Sequence, residues 1–125
     1  MSPRLSRKQF VEKTKAKYRN LLKLPLYSPA LKSDIYFTNK GWNHLAHKGT
    51  RSFNDVYRRL KLIPYIKSII LNSKTYKTRV MTNNITSFQI SGKRTITICG
   101  KTKKKLIRVV IILTAQKKYT FLSVM

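Results

Sequence analysis

The chain is nearly devoid of negative charge. Its 125 residues hold 3 Asp plus Glu against 28 Lys plus Arg, a net charge of +25. The three acidic residues are Glu12, Asp34 and Asp55. They are too few and too scattered for a two-metal nuclease or for a carboxylate acid–base pair. The single cysteine, Cys99, excludes an internal disulfide and is expected as a buried strand residue. Joined by His44 and His47, the only histidines, it cannot complete a zinc set unaided. No glycine loop of the Walker type is present. The longest apolar run, Val109 to Leu113, is far too short to span a bilayer, so no membrane span is expected. The basic first residues lead into no apolar stretch, so no secretory signal is read. Their acid-poor character also fits a mitochondrial presequence, but Glu12 and Pro25 read them as part of the domain. The expected location is the cytoplasm, its own or that of a target cell, and no cofactor is expected.

What is present is a foldable composition, 42% hydrophobic and 25% charged. It predicts one domain over 1–125: a basic helical arm (1–30), a helical segment with the histidines (31–72) and an antiparallel sheet (75–125). So basic a chain repels itself and needs an anionic partner. RNA, DNA, an anionic membrane and an acidic protein all qualify. The even spread of Lys and Arg among Tyr and Phe favours nucleic acid, because it suits both phosphate and base contacts.

Ser6 to Lys23 predicts a helix, with Ser6 and Gln9 as a capping box. Phe10, Val11, Thr14, Tyr18, Leu21 and Leu22 share one face. Arg7, Lys8, Lys13, Lys15, Lys17 and Arg19 lie opposite, as a solvated face or a phosphate-tracking one. Pro25 and Pro29 break the pattern. Ile35 to Thr38 reads as a short strand and Asn39-Lys40-Gly41 as a turn. Asn39 to Gly49 then holds the only Trp and both histidines. Trp42 to His47 suits a single helical turn, with Trp42 as core or as a base-stacking platform. Ser52 and Asp55 cap a second helix with Phe53, Val56, Tyr57 and Leu60 inward and Arg58, Arg59 and Lys61 outward. Pro64 separates it from Tyr65 to Leu71, where Ile66, Ile69 and Ile70 face the core.

From Thr75 the period changes to two. Tyr76 to Thr82 is a strand candidate, followed by a turn at Asn83-Asn84. Gly92-Lys93 reads as a tight hairpin turn between Ile85–Ser91 and Arg94–Cys99, setting Phe88 and Ile90 beside Ile96 and Ile98. Gly100 to Lys104 reads as a basic loop. Leu106 to Leu113 suits a central strand buried on both faces, and Tyr119 to Val124 closes the sheet. The fold class is therefore α+β, with N-terminal helices packed on a four- to five-stranded antiparallel meander. Its open face is expected to be basic and polar, carrying Arg79, Arg94, Thr95, Thr97, Arg108, Thr120 and Ser123.

Such an inventory suits one reaction. The 2′-hydroxyl of RNA attacks the neighbouring phosphate when a base, an acid and cations are supplied, with no metal and no carboxylate. Histidine titrates near neutrality, and a cationic field pushes His44 toward its neutral form. His44 is open to catalysis or to a structural role, and His47 is read as a bystander. Arg79, Arg94 and Arg108 are transition-state clamps or backbone contacts. Thr120 and Ser123 serve one site only if a bulge intervenes. Further RNA contacts are assigned to Lys40, Lys48, Arg51, Arg58, Arg59, Lys93, Lys101, Lys103 and Lys104.

The segments Gly-x-x-His-Leu (Gly41 to Leu45), Arg-Ser-Phe-x-Asp-Val (Arg51 to Val56) and Tyr-Thr-Phe-Leu-Ser (Tyr119 to Ser123) follow a basic helix in that order. Over roughly residues 35 to 125 the layout resembles the barnase–EndoU–colicin–RelE-like superfamily of metal-independent ribonucleases. The resemblance implies a toxin-type endoribonuclease acting on tRNA or ribosome-bound RNA, with an acidic immunity or antitoxin protein as partner. It places the site at His44, at Arg79, Arg94 or Arg108, and at Ser123 or Thr120. The alternative is a basic RNA-binding protein without catalysis, ribosome-associated or organellar. A DNA-binding reading is weaker, because the second half has period two.

Overall fold

The computed structural model describes residues 7–23, 25–46, 52–81, 85–98 and 100–125. Among the described residues there are four helices, α1 (Arg7–Leu22), α2 (Asn39–Ala46), α3 (Phe53–Lys61) and α4 (Ile63–Asn72), with the first two strands lying between α1 and α2. Six strands form one sheet: β1 (Leu26–Ser28), β2 (Ser33–Tyr36), β3 (Lys77–Val80), β4 (Thr86–Ile98), β5 (Lys101–Leu113) and β6 (Tyr119–Val124). Their order is β1-β2-β6-β5-β4-β3. The expected α+β class, with helices before an antiparallel meander, is what the chain adopts over β3 to β6.

The edge beyond β6 differs from expectation. The β1–β2 hairpin adds two strands, and β2 runs parallel to β6, with Ile35 opposite Tyr119. Leu26 to Ser28 is flanked by Pro25 and Pro29, which suits an edge strand that needs few ladder donors. A parallel pairing between residues so far apart leaves no local signal.

The helices follow their apolar faces. Thr14 and Tyr18 of α1 are buried, and Phe10, Val11, Leu21 and Leu22 are half-buried against the core. Ser52 caps α3, its hydroxyl accepting from the Asp55 amide at 3.3 Å. Pro64 stands in the first turn of α4, where no amide donor is needed. Ile66, Ile69 and Ile70 of α4 are fully enclosed and meet Ile90, Ile107, Val109 and Ile111 of the sheet in one core. Each such side chain contributes about 2 kcal/mol by leaving water. The Ser6 cap, the Asn83-Asn84 turn and Cys99 lie outside the described residues.

Three turns are elsewhere than predicted. Asn39-Lys40-Gly41 is the first turn of α2. Gly92-Lys93 lies inside β4, which runs unbroken to Ile98, and Lys101 to Lys104 belongs to β5. Phe88, Ile90 and Ile96 therefore line one strand, opposite Ile111, Val109 and Lys103. The hairpin turns at Gly100, whose φ of +76° favours glycine. Gly92 has another purpose. A Cβ there would fall 3.2 Å from Ile69 of α4, so glycine lets the helix approach the sheet. Tyr76 to Thr82 shortens to Lys77–Val80, an edge strand exposed throughout.

Register assigns the two sheet faces. Phe88, Ile90, Arg94 and Ile96 of β4 share the helix-covered face, with Lys101, Lys103, Lys105, Ile107, Val109 and Ile111 of β5. Arg94 is thus not on the open face. It donates to the Ser68 hydroxyl of α4 at 2.8 Å. Nor is the open face simply basic and polar. Val110, Ile112 and Leu122 form a second, small apolar cluster there, beside buried Ser87 and Thr120. β5 is therefore buried on both faces from Val109 to Ile112, a shorter stretch than the expected Leu106 to Leu113, whose two end residues and Arg108 are exposed.

Gly41 marks the tightest point of the packing. A Cβ at that position would sit 2.5 Å from the Tyr18 hydroxyl, 2.7 Å from the Phe121 ring and 3.1 Å from the Phe121 carbonyl. Gly41→Ala improves helix propensity yet should lower stability by about 1–3 kcal/mol through overpacking. Chemical denaturation checks this: a variant as stable as the parent, or more so, contradicts the close approach of α2 to β6.

Candidate functional site

Two places on the molecule gather the residue types the sequence singles out. The first is the junction of α2, α3 and β6. Helix α2 lies against β6, with Gly41 on the Phe121 backbone. His44 is one helical turn beyond that contact, on the same side of α2. It is half-buried, with Nδ1 enclosed. Ser123, two residues beyond Phe121, is buried, and its Oγ accepts a hydrogen bond from Arg59 Nη1 of α3 at 2.9 Å. Arg59 Nε lies 3.8 Å from Asp55 Oδ2 one turn earlier on the same helix. The junction thus joins a guanidinium to a hydroxyl on two elements that pack against the helix of His44.

The bulge required for Thr120 and Ser123 to act together exists, as a register shift between Val110 and Ile111. Their hydroxyls still go separate ways. Thr120 stands opposite Ile112, with its Oγ1 3.4 Å from the Lys118 carbonyl. The three predicted arginines are not with His44. Arg94 is committed to α4. Arg79 and Arg108 lie on the open face, in register with Ser87 and Ser91 respectively. Four residues along β4 and two strands across separate them, about 16 Å. Lys40 is exposed at the start of α2, and Lys93 and Lys104 are exposed on the open face. His47, Lys48 and Arg51 lie outside the described residues.

The second place is a groove between the helices and the outer half of the β4–β5 hairpin. Both strands have 13 residues, whereas their neighbours have 4 and 6, so the hairpin extends past the sheet as a two-stranded arm. Its helix-facing side carries Lys101, Lys103 and Lys105. With Arg58 of α3 they line a depression of about 260 Å³. No carboxylate lines it among the described residues. A second depression, about 290 Å³, adjoins it under α1, with Phe10, Tyr65 and Ile96 as apolar lining and Lys13, Lys17 and Lys61 as cations.

Arg58, Lys101 and Lys103 were expected as RNA contacts from the sequence. Lys105 was missed because 100–104 reads as a loop; extending the period-two pattern back to Lys101 aligns all three lysines. The Arg59–Ser123 contact spans 64 residues of chain and has no local signal.

No group of three or more His, Cys, Asp and Glu side chains gathers among the described residues. No helix among them is long and apolar enough to cross a membrane. Comparison with family models, with curated proteins and with solved structures finds no match to this chain.

Tyr18 holds the junction from below. Its hydroxyl donates to the Thr38 carbonyl at 2.7 Å, at the entry to α2. Its ring contacts Phe37, Trp42 and Phe121 at centroid distances of 6.2, 5.7 and 5.9 Å. Burial raises the pKa of this phenol far above the ordinary 10.0, an effect that outweighs the backbone contacts which lower it. The folded state therefore keeps a proton that the unfolded chain releases near 10.0. The stability this contributes is complete below that pH and falls as pH rises beyond it. Tyr18→Phe should cost about 1 kcal/mol at neutral pH through the lost hydrogen bond. The gap between parent and variant should then narrow toward about pH 11. Urea midpoints measured over that range check it, and a constant gap contradicts it.

Proposed function

We propose that the chain is a metal-independent endoribonuclease of toxin type, cleaving RNA by attack of the 2′-hydroxyl on the adjacent phosphate. The observation that supports this reading is the α2–α3–β6 junction, where Arg59 donates to Ser123 beside the helix that carries His44. His44, with Nδ1 enclosed, takes the 2′-hydroxyl proton through Nε2. As the 2′ oxygen bonds to phosphorus and the bond from phosphorus to the 5′ oxygen breaks, charge grows on the phosphoryl oxygens, and the departing 5′ oxygen takes a proton from water while His44 returns its own to solvent. The Arg59 fork is suited to hold it, and Ser123 keeps that fork in place. The products are a 2′,3′-cyclic phosphate and a 5′-hydroxyl end. In this reading the catalytic group is His44, Arg59 and Ser123. Arg79, Arg94, Arg108 and Thr120 are not part of it. The substrate class is RNA such as tRNA or ribosome-bound RNA, met in the cytoplasm. An acidic immunity or antitoxin protein is the partner that matches a surface of this charge.

Binding of RNA without cleavage is the second reading. The cationic groove favours it, since holding a backbone needs no junction chemistry.

Incubation of the protein with RNA in EDTA, followed by end-group analysis, tests both. Cleavage with cyclic phosphate ends is expected. His44→Ala should lower the rate by about a hundredfold or more, and Arg59→Lys, which keeps the charge but not the fork, should also slow it. Unimpaired cleavage by the His44 variant removes His44 from the mechanism. Firm binding with no cleavage overturns the first reading in favour of the second.

A further inference from the structure

The two depressions beside the hairpin arm form one feature. Arg58 and Lys61 lie three apart on α3, on one side of the helix, and line one depression each. Ile96 and Lys103, direct partners in the β4–β5 ladder, do the same from the sheet side. The groove therefore runs continuously from the hairpin arm to the underside of α1. Its two ends differ in chemistry. Toward the tip it is lined by cations. Toward α1 it has an apolar lining that includes half-buried Tyr65 and buried Ile96, with lysines at its rim.

The spacing of the cations is regular. Lys101, Lys103 and Lys105 are alternate residues of one strand, so they repeat about every 7 Å in a single row. Successive phosphates along an extended nucleic-acid backbone have a similar spacing. The opposite wall is Arg58 of α3, across a depression of about 260 Å³. A row of this kind matches one backbone, and a depression of this size admits one. A duplex is wider and would touch only the rim.

We propose that this groove is a binding site for single-stranded RNA, with the backbone along Lys101, Lys103, Lys105 and Arg58 and a base turned onto Tyr65 in the recess under α1. The inference rests on the reading of RNA as the partner, not on cleavage. It places the strand-holding surface away from the α2–α3–β6 junction. Lys105 and Val110, the ladder partner of Ser123, are five residues apart on β5, or about 16 Å. Groove and junction are then two stations that one strand of RNA can occupy together.

Fluorescence anisotropy with fully 2′-O-methylated RNA, which lacks the attacking hydroxyl, separates binding from cleavage. The probes are a single strand of about eight nucleotides, a blunt duplex of the same length and a DNA single strand. The RNA single strand should bind at least about tenfold tighter than the duplex, since a single strand alone lies along the lysine row and stacks on the aromatic wall. Four phosphate contacts should cost about fiftyfold in affinity between 50 and 200 mM salt. Combined replacement of Lys101, Lys103 and Lys105 by Gln should cut that factor to about threefold. Lys74→Gln with Lys77→Gln, exposed at the β3 edge, should leave both affinity and salt dependence near the parent's. Tyr65→Ala should weaken the single strand about tenfold and Tyr65→Phe should not.

Equal affinity for duplex, or parental salt dependence in the triple variant, overturns the groove while leaving RNA as the partner. DNA single strand bound more tightly than RNA overturns RNA as the occupant and leaves the one-backbone geometry supported. Failure of every nucleic acid to bind overturns the RNA reading itself.

Discussion

The approach of α2 to β6 at Gly41 is the constraint on which the rest of the molecule depends. One backbone position must accommodate the Tyr18 hydroxyl, the Phe121 ring and the Phe121 carbonyl, and only a residue without a side chain can do so. That contact joins the first helix, the second helix and the last strand. The Thr38 carbonyl reinforces it by accepting from both the Tyr18 hydroxyl and the Gly41 amide. Phe37 stacked on Phe121 at 5.1 Å and the Trp42 ring close the same cluster. Trp42 is therefore core. The apolar half of Asn39–Gly49 anchors α2, and this anchoring sets where His44 stands relative to Ser123.

Legibility in the sequence followed the range of the interactions. Helices α1, α3 and α4 could be read because their apolar residues recur at helical spacing and because Ser52 and Pro64 mark local ends. The burial of β5 from Val109 to Ile112 could be read from the apolar run that contains it. Glycines misled where their reason was distant. Gly92 looks like a turn residue, but it is there for Ile69 of α4, 23 positions earlier, and Gly41 is there for Phe121. Arg94 looks like an outward-facing base contact, but Ser68 draws it under the helix layer. The β1–β2 edge and the Arg59–Ser123 contact depend on pairings across most of the chain, which no local pattern encodes.

The hairpin arm explains how a chain of net charge +25 can also bury a core. Its inner part, from Val109 to Ile112, is enclosed by β4, β6 and the helices. Its outer half carries Lys101, Lys103, Lys104 and Lys105 beyond the other strands, where water and counterions screen them. The exception is the side turned toward α3. There Lys101, Lys103 and Lys105 face Arg58, and bringing like charges together costs free energy in the empty protein. A polyanion in the groove releases that repulsion and displaces condensed counterions. The least favourable part of the surface is in this way the part best prepared for an anionic ligand.

Asp55 shows how scarce negative charge is placed. It lies in the first turn of α3, where a carboxylate is favoured, and its amide is the one capped by Ser52. Its carboxylate meets Arg59 one turn later. An exposed pair of that spacing adds only about 0.3–0.5 kcal/mol, too little to matter for stability. Its consequence is geometric. With Nε drawn toward Asp55 and Nη1 held by Ser123, the Arg59 guanidinium is gripped from the helix on one side and from the last strand on the other. A guanidinium fixed at two points loses little freedom when a phosphate arrives, so more of its attraction is left for the charge that develops in the reaction. Of the arginines assigned above, Arg94 is also held, but by Ser68 and the neighbouring Lys93 carbonyl, which keep it away from the junction. Arg59 is the one whose restraint places it beside His44's helix. In the proposed mechanism it takes the clamping role that the sequence alone had divided among Arg79, Arg94 and Arg108.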